Sequence, residues 1–138
     1  MMRSATAAAV GAALALAAPG APAPATQTVP ASAPAASIGN AAAGKVVYER
    51  CLACHALAYD RTGPRHCGLF GRRAGSVPGF DYSEAMQRSR IVWDDKTLNL
   101  FLADPPRAVP GTSMGYAGIK DSAERADLIA YLKQACPR

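Results

Sequence analysis

The run Cys51-Leu52-Ala53-Cys54-His55 constrains this chain more than any other feature of it. Two cysteines three positions apart, near the end of a helix, lie on one side of that helix and can act together on one partner. The histidine that follows can turn its imidazole beneath whatever they hold. C-x-x-C-H is the attachment signature of c-type haem, in which each thiol adds to a porphyrin vinyl group and the histidine binds the iron. These five residues leave other readings open. A thioredoxin-like dithiol would sit beside a strand of a parallel sheet. Zinc could complete four ligands with Cys67, Cys136 or His66, although these do not form a second clustered pair. A plain disulfide within the motif is the third alternative.

The 138 residues leave room for one domain. Met1-Met2-Arg3, an apolar run from Ala5 to Ala18 and the small residues Ala23-Pro24-Ala25 follow the pattern of a secretory signal. The apolar run is shorter than the about 20 residues that span a bilayer. Residues 1–25 are therefore read as a signal peptide, 26–38 as an Ala/Pro-rich disordered leader and 39–138 as the folded domain. Export to the periplasm is expected, with any membrane contact made only through partners. A domain this small gains much from a covalent or metal-centred staple. The formal charge of +5 includes Arg3 and is otherwise scattered along the chain, which argues against nucleic acid as a partner.

The domain reads as all-α. Asn40 can cap a helix running to about Cys51, with Ala43, Val47 and Cys51 on one face. The glycines and prolines between His55 and Gly79 predict loop. Asp81 and Glu84 have capping-box spacing for a short helix from Tyr82 to about Arg88. Asp94 or Asp95 can start another, with Leu98, Phe101 and Leu102 on its apolar side and Pro105-Pro106 ending it. After a loop from Val109 to Gly118, Asp121 and Glu124 open a last helix carrying Leu128, Tyr131, Leu132 and Ala135 at helical spacing. No strand pattern is present.

Iron held by one histidine has a sixth position, for which Met86, Met114, His66, Cys67 and the lysines are candidates. Met114 sits between Pro110-Gly111 and Gly115-Tyr116-Ala117-Gly118, a loop stiffened by proline and freed by glycine that can present a thioether. Met86 lies inside a predicted helix and reads as core. His66 is so close in sequence to His55 that it would have to cross to the opposite haem face.

With these residues in hand, the chain from Gly44 to Lys133 resembles the small soluble class I cytochromes c of mitochondria and of bacterial respiratory or photosynthetic chains. Beyond the haem motif the likeness lies in Thr62-Gly63-Pro64, Gly68-Leu69-Phe70-Gly71-Arg72, Pro78-Gly79-Phe80-Asp81-Tyr82-Ser83, Ile91-Val92-Trp93, Pro110-Gly111-Thr112 and Ala117-Gly118-Ile119-Lys120, in the family's order. The resemblance implies a cytochrome c fold of four to five helices and long loops around one covalently attached haem c, with the first helix packed across the last through Gly44, Tyr48, Leu128 and Tyr131. It implies thioethers at Cys51 and Cys54, His55 and Met114 as axial ligands, and the Pro64 carbonyl as acceptor for the His55 ring N–H. It implies that Arg72, Tyr82, Trp93 and Thr112 hold the haem propionates.

The implied role is a monomeric single-electron carrier, not an enzyme, working between exported or membrane-bound redox enzymes. The alternative is an electron-accepting subunit of a periplasmic dehydrogenase or sulfur-compound oxidase. Phe101 stands where the family has a tyrosine whose hydroxyl reaches the methionine sulfur, Arg90 replaces a glycine, and His66 replaces a haem-packing leucine and leaves a polar ring needing a partner. Pro106 and Ser113 fall at lysine positions, where only Arg107 keeps a charge. With haem on Cys51 and Cys54, the two remaining cysteines of an exported protein, Cys67 and Cys136, are expected to pair, and their family positions agree.

Overall fold

The computed structural model describes residues 39–136; the expected signal peptide and leader lie outside the described residues. Helix α1 (Ala41–Tyr48) starts where Asn40 accepts hydrogen bonds from the Ala42 and Ala43 N–H groups at 2.9 and 3.3 Å, and it tightens into a 3-10 turn over Glu49–Cys51. Then come α2 (Glu84–Arg88), α3 (Asp95–Ala103), α4 (Pro105–Ala108) and α5 (Ser122–Ala135). Among the described residues there is no strand, only one isolated antiparallel bridge between Arg73 and Val92. No helix among them is long and apolar enough to cross a membrane.

The first and last helices cross at Gly44. A Cβ there would overlap the Asp127 backbone carbonyl and lie 2.8 Å from the Tyr131 Cβ, so the approach requires a residue without a side chain. Asp127 also accepts from the Asn40 N–H at 2.6 Å, which ties the start of α1 to the middle of α5. Val47 and Tyr48 of α1 join Leu128, Ile129 and Leu132 of α5 and Leu98, Phe101 and Leu102 of α3 in one buried core. The loop-rich middle of the chain wraps this core, with Leu69, Ala74, Met86 and Trp93 as its contributions.

Three helix starts differ in detail from their sequence reading. Helix α2 is capped by the Ser83 hydroxyl, which accepts from the Met86 N–H at 3.3 Å, and not by Asp81; the chain is still extended at Ser83, so Asp81 lies too far outside the first turn. Pro105 and Pro106 do more than end α3. With Asp104 accepting from the Arg107 N–H, they open α4, where proline costs no hydrogen bond. Asp121 caps α5 as expected, but Glu124 reaches across to Arg50 and forms two bonds of 2.7 Å with its guanidinium. That contact holds Glu124 below the usual carboxylate range. Both side chains are well exposed, so the pair adds little to stability.

The sulfurs of Cys67 and Cys136 are bonded, with Cα atoms 5.2 Å apart, and this joins the middle loop to the end of α5. A bridge closing a loop of 69 positions stabilises by roughly 2–4 kcal/mol. Thiol counting on the denatured protein should find two more reactive thiols after reduction than before it. An equal count before and after would mean that the bridge does not form.

Candidate functional site

The 3-10 turn after α1 shapes the site. The His55 N–H bonds to the Cys51 carbonyl at 2.8 Å and the Cys54 N–H to the same oxygen at 3.1 Å, so the motif closes into a tight turn. Cys51 and Cys54 are free thiols, the first partly buried and the second exposed. Burial pushes the Cys51 thiol up to about 11, so it is protonated near neutral pH. The nucleophilic cysteine of a redox dithiol has the opposite shift. The zinc reading also loses its extra ligands, because Cys67 and Cys136 are bonded to each other and no group of three metal-ligating side chains forms among the described residues.

The His55 ring is held on several sides. Its Nδ1–H donates to the Pro64 carbonyl at 2.8 Å, and among the described residues Nε2 has no hydrogen-bond partner. Gly63 backs the ring so closely that a Cβ would overlap Cε1. Burial lowers the imidazole's pKa and outweighs the opposing effect of the Pro64 bond. The ring therefore stays neutral near pH 7, the form that binds a metal. His66 stacks on it with ring centroids 4.3 Å apart and planes 21° from parallel. The partner that the His66 ring needed is the Tyr48 hydroxyl, 3.1 Å from its Nδ1. Burial together with the neighbouring His55 and Arg72 pushes His66 down to about 3.

Arg72 and Trp93 come together through backbone pairing. The Trp93 N–H donates to the Arg72 carbonyl at 3.0 Å and the Gly71 N–H to the Trp93 carbonyl at 2.8 Å. The Arg72 guanidinium is partly buried and, among the described residues, donates to the Cys67 and Arg65 carbonyls at 3.0 and 2.9 Å. A half-buried cation whose direct partners are carbonyls calls for an anion, and burial lowers its pKa accordingly. Neighbouring Tyr82 and Asp60 oppose that shift and Arg65 reinforces it, and burial raises the pKa of Tyr82 itself. Trp93 is buried against Phe101, with ring centroids 5.1 Å apart.

Thr112 and Met114 share the loop between α4 and α5. The Thr112 hydroxyl accepts from the Met114 N–H at 3.3 Å, and Met114 is partly buried against the core. At its far end the loop is pinned at Gly118, whose φ is +86° and where a Cβ would overlap the Ala103 carbonyl, and by the Ile119 N–H donating to the Leu102 carbonyl at 2.8 Å. Phe101 has no hydroxyl to offer the Met114 sulfur.

A covalently attached haem fits this donor set: two free thiols on one turn, a neutral imidazole with Nε2 unbonded among the described residues, a partly buried thioether and a half-buried guanidinium whose hydrogen bonds go to carbonyls. Two contributors carry no signal of their own in the sequence. Gly63 reads as a turn glycine until the loop is seen to return to His55, and Tyr48 reads as plain core until His66 is seen beside it.

The family model described as cytochrome c matches residues 41–135. Cytochrome c2 of Blastochloris viridis is 42% identical over 107 residues, covering 75% of this chain and 84% of that protein. Cytochrome c of Euglena viridis is 46% identical over 98 residues, covering 69% of this chain and 96% of that protein. The solved structure of cytochrome cH from Methylobacterium extorquens superposes with a TM-score of 0.68 at 41% identity, covering 70% of this chain and 99% of that one.

Proposed function

The chain belongs to the cytochrome c family, and on that premise we propose that His55 and Met114 are the axial ligands of its haem iron, with Cys51 and Cys54 as the thioether residues. The cofactor is covalently attached haem c, and the protein is an electron carrier rather than an enzyme. The observation that carries the ligand assignment is the His55 ring itself: Nδ1 is tied to Pro64 at 2.8 Å and Nε2 is open, directly after two free thiols.

When bound, the haem supplies a one-electron couple of ferric and ferrous iron. The chain's residues prepare the place for it. Donation from Nδ1–H to the Pro64 carbonyl fixes the tautomer and makes Nε2 a stronger donor. The Met114 thioether on the loop pinned by Gly118 favours the ferrous state. Arg72, with Tyr82, Trp93 and Thr112, is the reading for the propionates: the under-partnered guanidinium supplies the counter-charge and the others supply hydrogen bonds. The electron passes without any bond being made or broken. The partners we propose are exported or membrane-bound redox enzymes, reached in the periplasm after removal of residues 1–25 as a signal peptide.

Attachment is tested by acid–acetone extraction of the denatured protein. The colour should stay with the polypeptide, and the mass should include one haem. Colour lost to the solvent, or a zinc mass in its place, would defeat the assignment of Cys51 and Cys54. Replacing both by serine should abolish retention altogether.

A further inference from the structure

The carrier role requires no imidazole at position 66, yet His66 is built firmly into the site. Its ring lies on His55 at 4.3 Å, and its Nδ1 is 3.1 Å from the Tyr48 hydroxyl. Tyr48, 3% exposed, meets His66 at 5.6 Å with planes at 65° and is backed by Tyr131 of α5 at 5.2 Å. The backbone is held as well, by the His66 N–H donating to Ala56 at 3.1 Å and the Cys67 N–H to Leu57 at 2.8 Å. A continuous row of rings therefore runs from His55 through His66 and Tyr48 to α5.

The Pro64 carbonyl restrains one nitrogen of the His55 ring. A single bond at Nδ1 still lets the ring rock, and close contacts with the ring oppose that motion. Gly63 backs it, and His66 stacks on its face. A leucine would fill comparable space without burying a polar ring. What the imidazole adds is a flat face toward His55 and a hydrogen bond that keeps this face in place.

We propose that His66 is a positioning residue: stacked on His55 and anchored by Tyr48, it sets the rotational orientation of the proximal imidazole. This rests on the reading of His55 as an iron ligand. The orientation of an axial imidazole decides which iron d orbital its π system meets, and so how unpaired spin spreads over the porphyrin of the ferric protein.

Paramagnetic proton NMR of the ferric holoprotein tests this, because the haem-methyl shifts report that spin pattern independently of electron-transfer activity. His66→Leu should redistribute the haem-methyl shifts. His66→Phe, which keeps a flat ring, should return them toward the wild type. Tyr48→Phe should move them in the direction of His66→Leu by a smaller amount, and adding it to His66→Leu should change nothing more, since both act through one contact. Wild-type shifts in His66→Leu, or equal displacement in His66→Phe and His66→Leu, would overturn the proposal. Should His66→Leu fail to load haem, Tyr48→Phe decides: displaced shifts support the proposal and wild-type shifts overturn it. A wild-type protein whose His55 ring protons show no large hyperfine shift would instead overturn the ligand reading, a separate failure visible before any variant is made.

Discussion

Met114→Ala is expected to retain its covalent haem, to lose the weak far-red band of the oxidised protein, and to fall in reduction potential by on the order of 100–200 mV, within the roughly 0.8 V that axial ligands command. The sign follows from the thioether, a soft neutral donor that stabilises ferrous over ferric iron. Alanine leaves the sixth position to water or a harder side chain, which reverses that preference. Attachment should survive because Cys51, Cys54 and His55 belong to a separate turn. The Thr112 hydroxyl bond to the residue 114 N–H uses the backbone, so the loop should keep its path. Spectrophotometric redox titration beside the wild type provides the measurement. An unchanged spectrum and potential would move the sixth ligand to His66 or a lysine.

Gly44→Ala separates two opposed effects of known size. In an exposed helix interior, alanine for glycine stabilises by up to about 1 kcal/mol through helix propensity. At the crossing of α1 and α5 the added Cβ would meet the Asp127 carbonyl, which is backbone and cannot swing aside. The helices must separate, the Tyr48–Tyr131 contact loosens, and overpacking costs about 1–3 kcal/mol, here at the upper end because the obstacle is backbone. Packing should win, with a net loss of about 2 kcal/mol seen as a lower denaturation midpoint of the holoprotein at constant slope. A midpoint equal to or above the wild type would show that the two helices do not approach as closely as the structure has them.

Much of this protein was legible before any tertiary information. The haem motif, the Asn40 and Asp121 caps and the loop carrying Met114 are all written in contiguous residues, and their physics is local. A cap satisfies an N–H two or three positions away, and two thiols three positions apart share one turn whatever surrounds them. The resemblance to class I cytochromes c carried the reading further, to the crossing at Gly44 and the acceptor at Pro64. Where local rules offered two equivalent solutions, the sequence could not choose between them. Asp94 and Asp95 both suit a helix start, and only the folded chain, in which Asp94 accepts from the Thr97 N–H at 2.7 Å, selects the first.

Tertiary structure alone decided the contacts whose partners lie far apart along the chain. Glu124 has the spacing of a capping residue but bonds Arg50, 74 positions away, because the crossing of α1 and α5 brings a guanidinium within reach. His66 was a polar ring without a partner until the fold set Tyr48 against it, 18 positions back. Gly63 became a site residue only once the loop returned beneath His55. Residue type limits which bonds a side chain can make, and short spacing decides those made within a turn. The choice among distant partners is settled by the path of the backbone between them, a property of the packed core as a whole rather than of any segment in it.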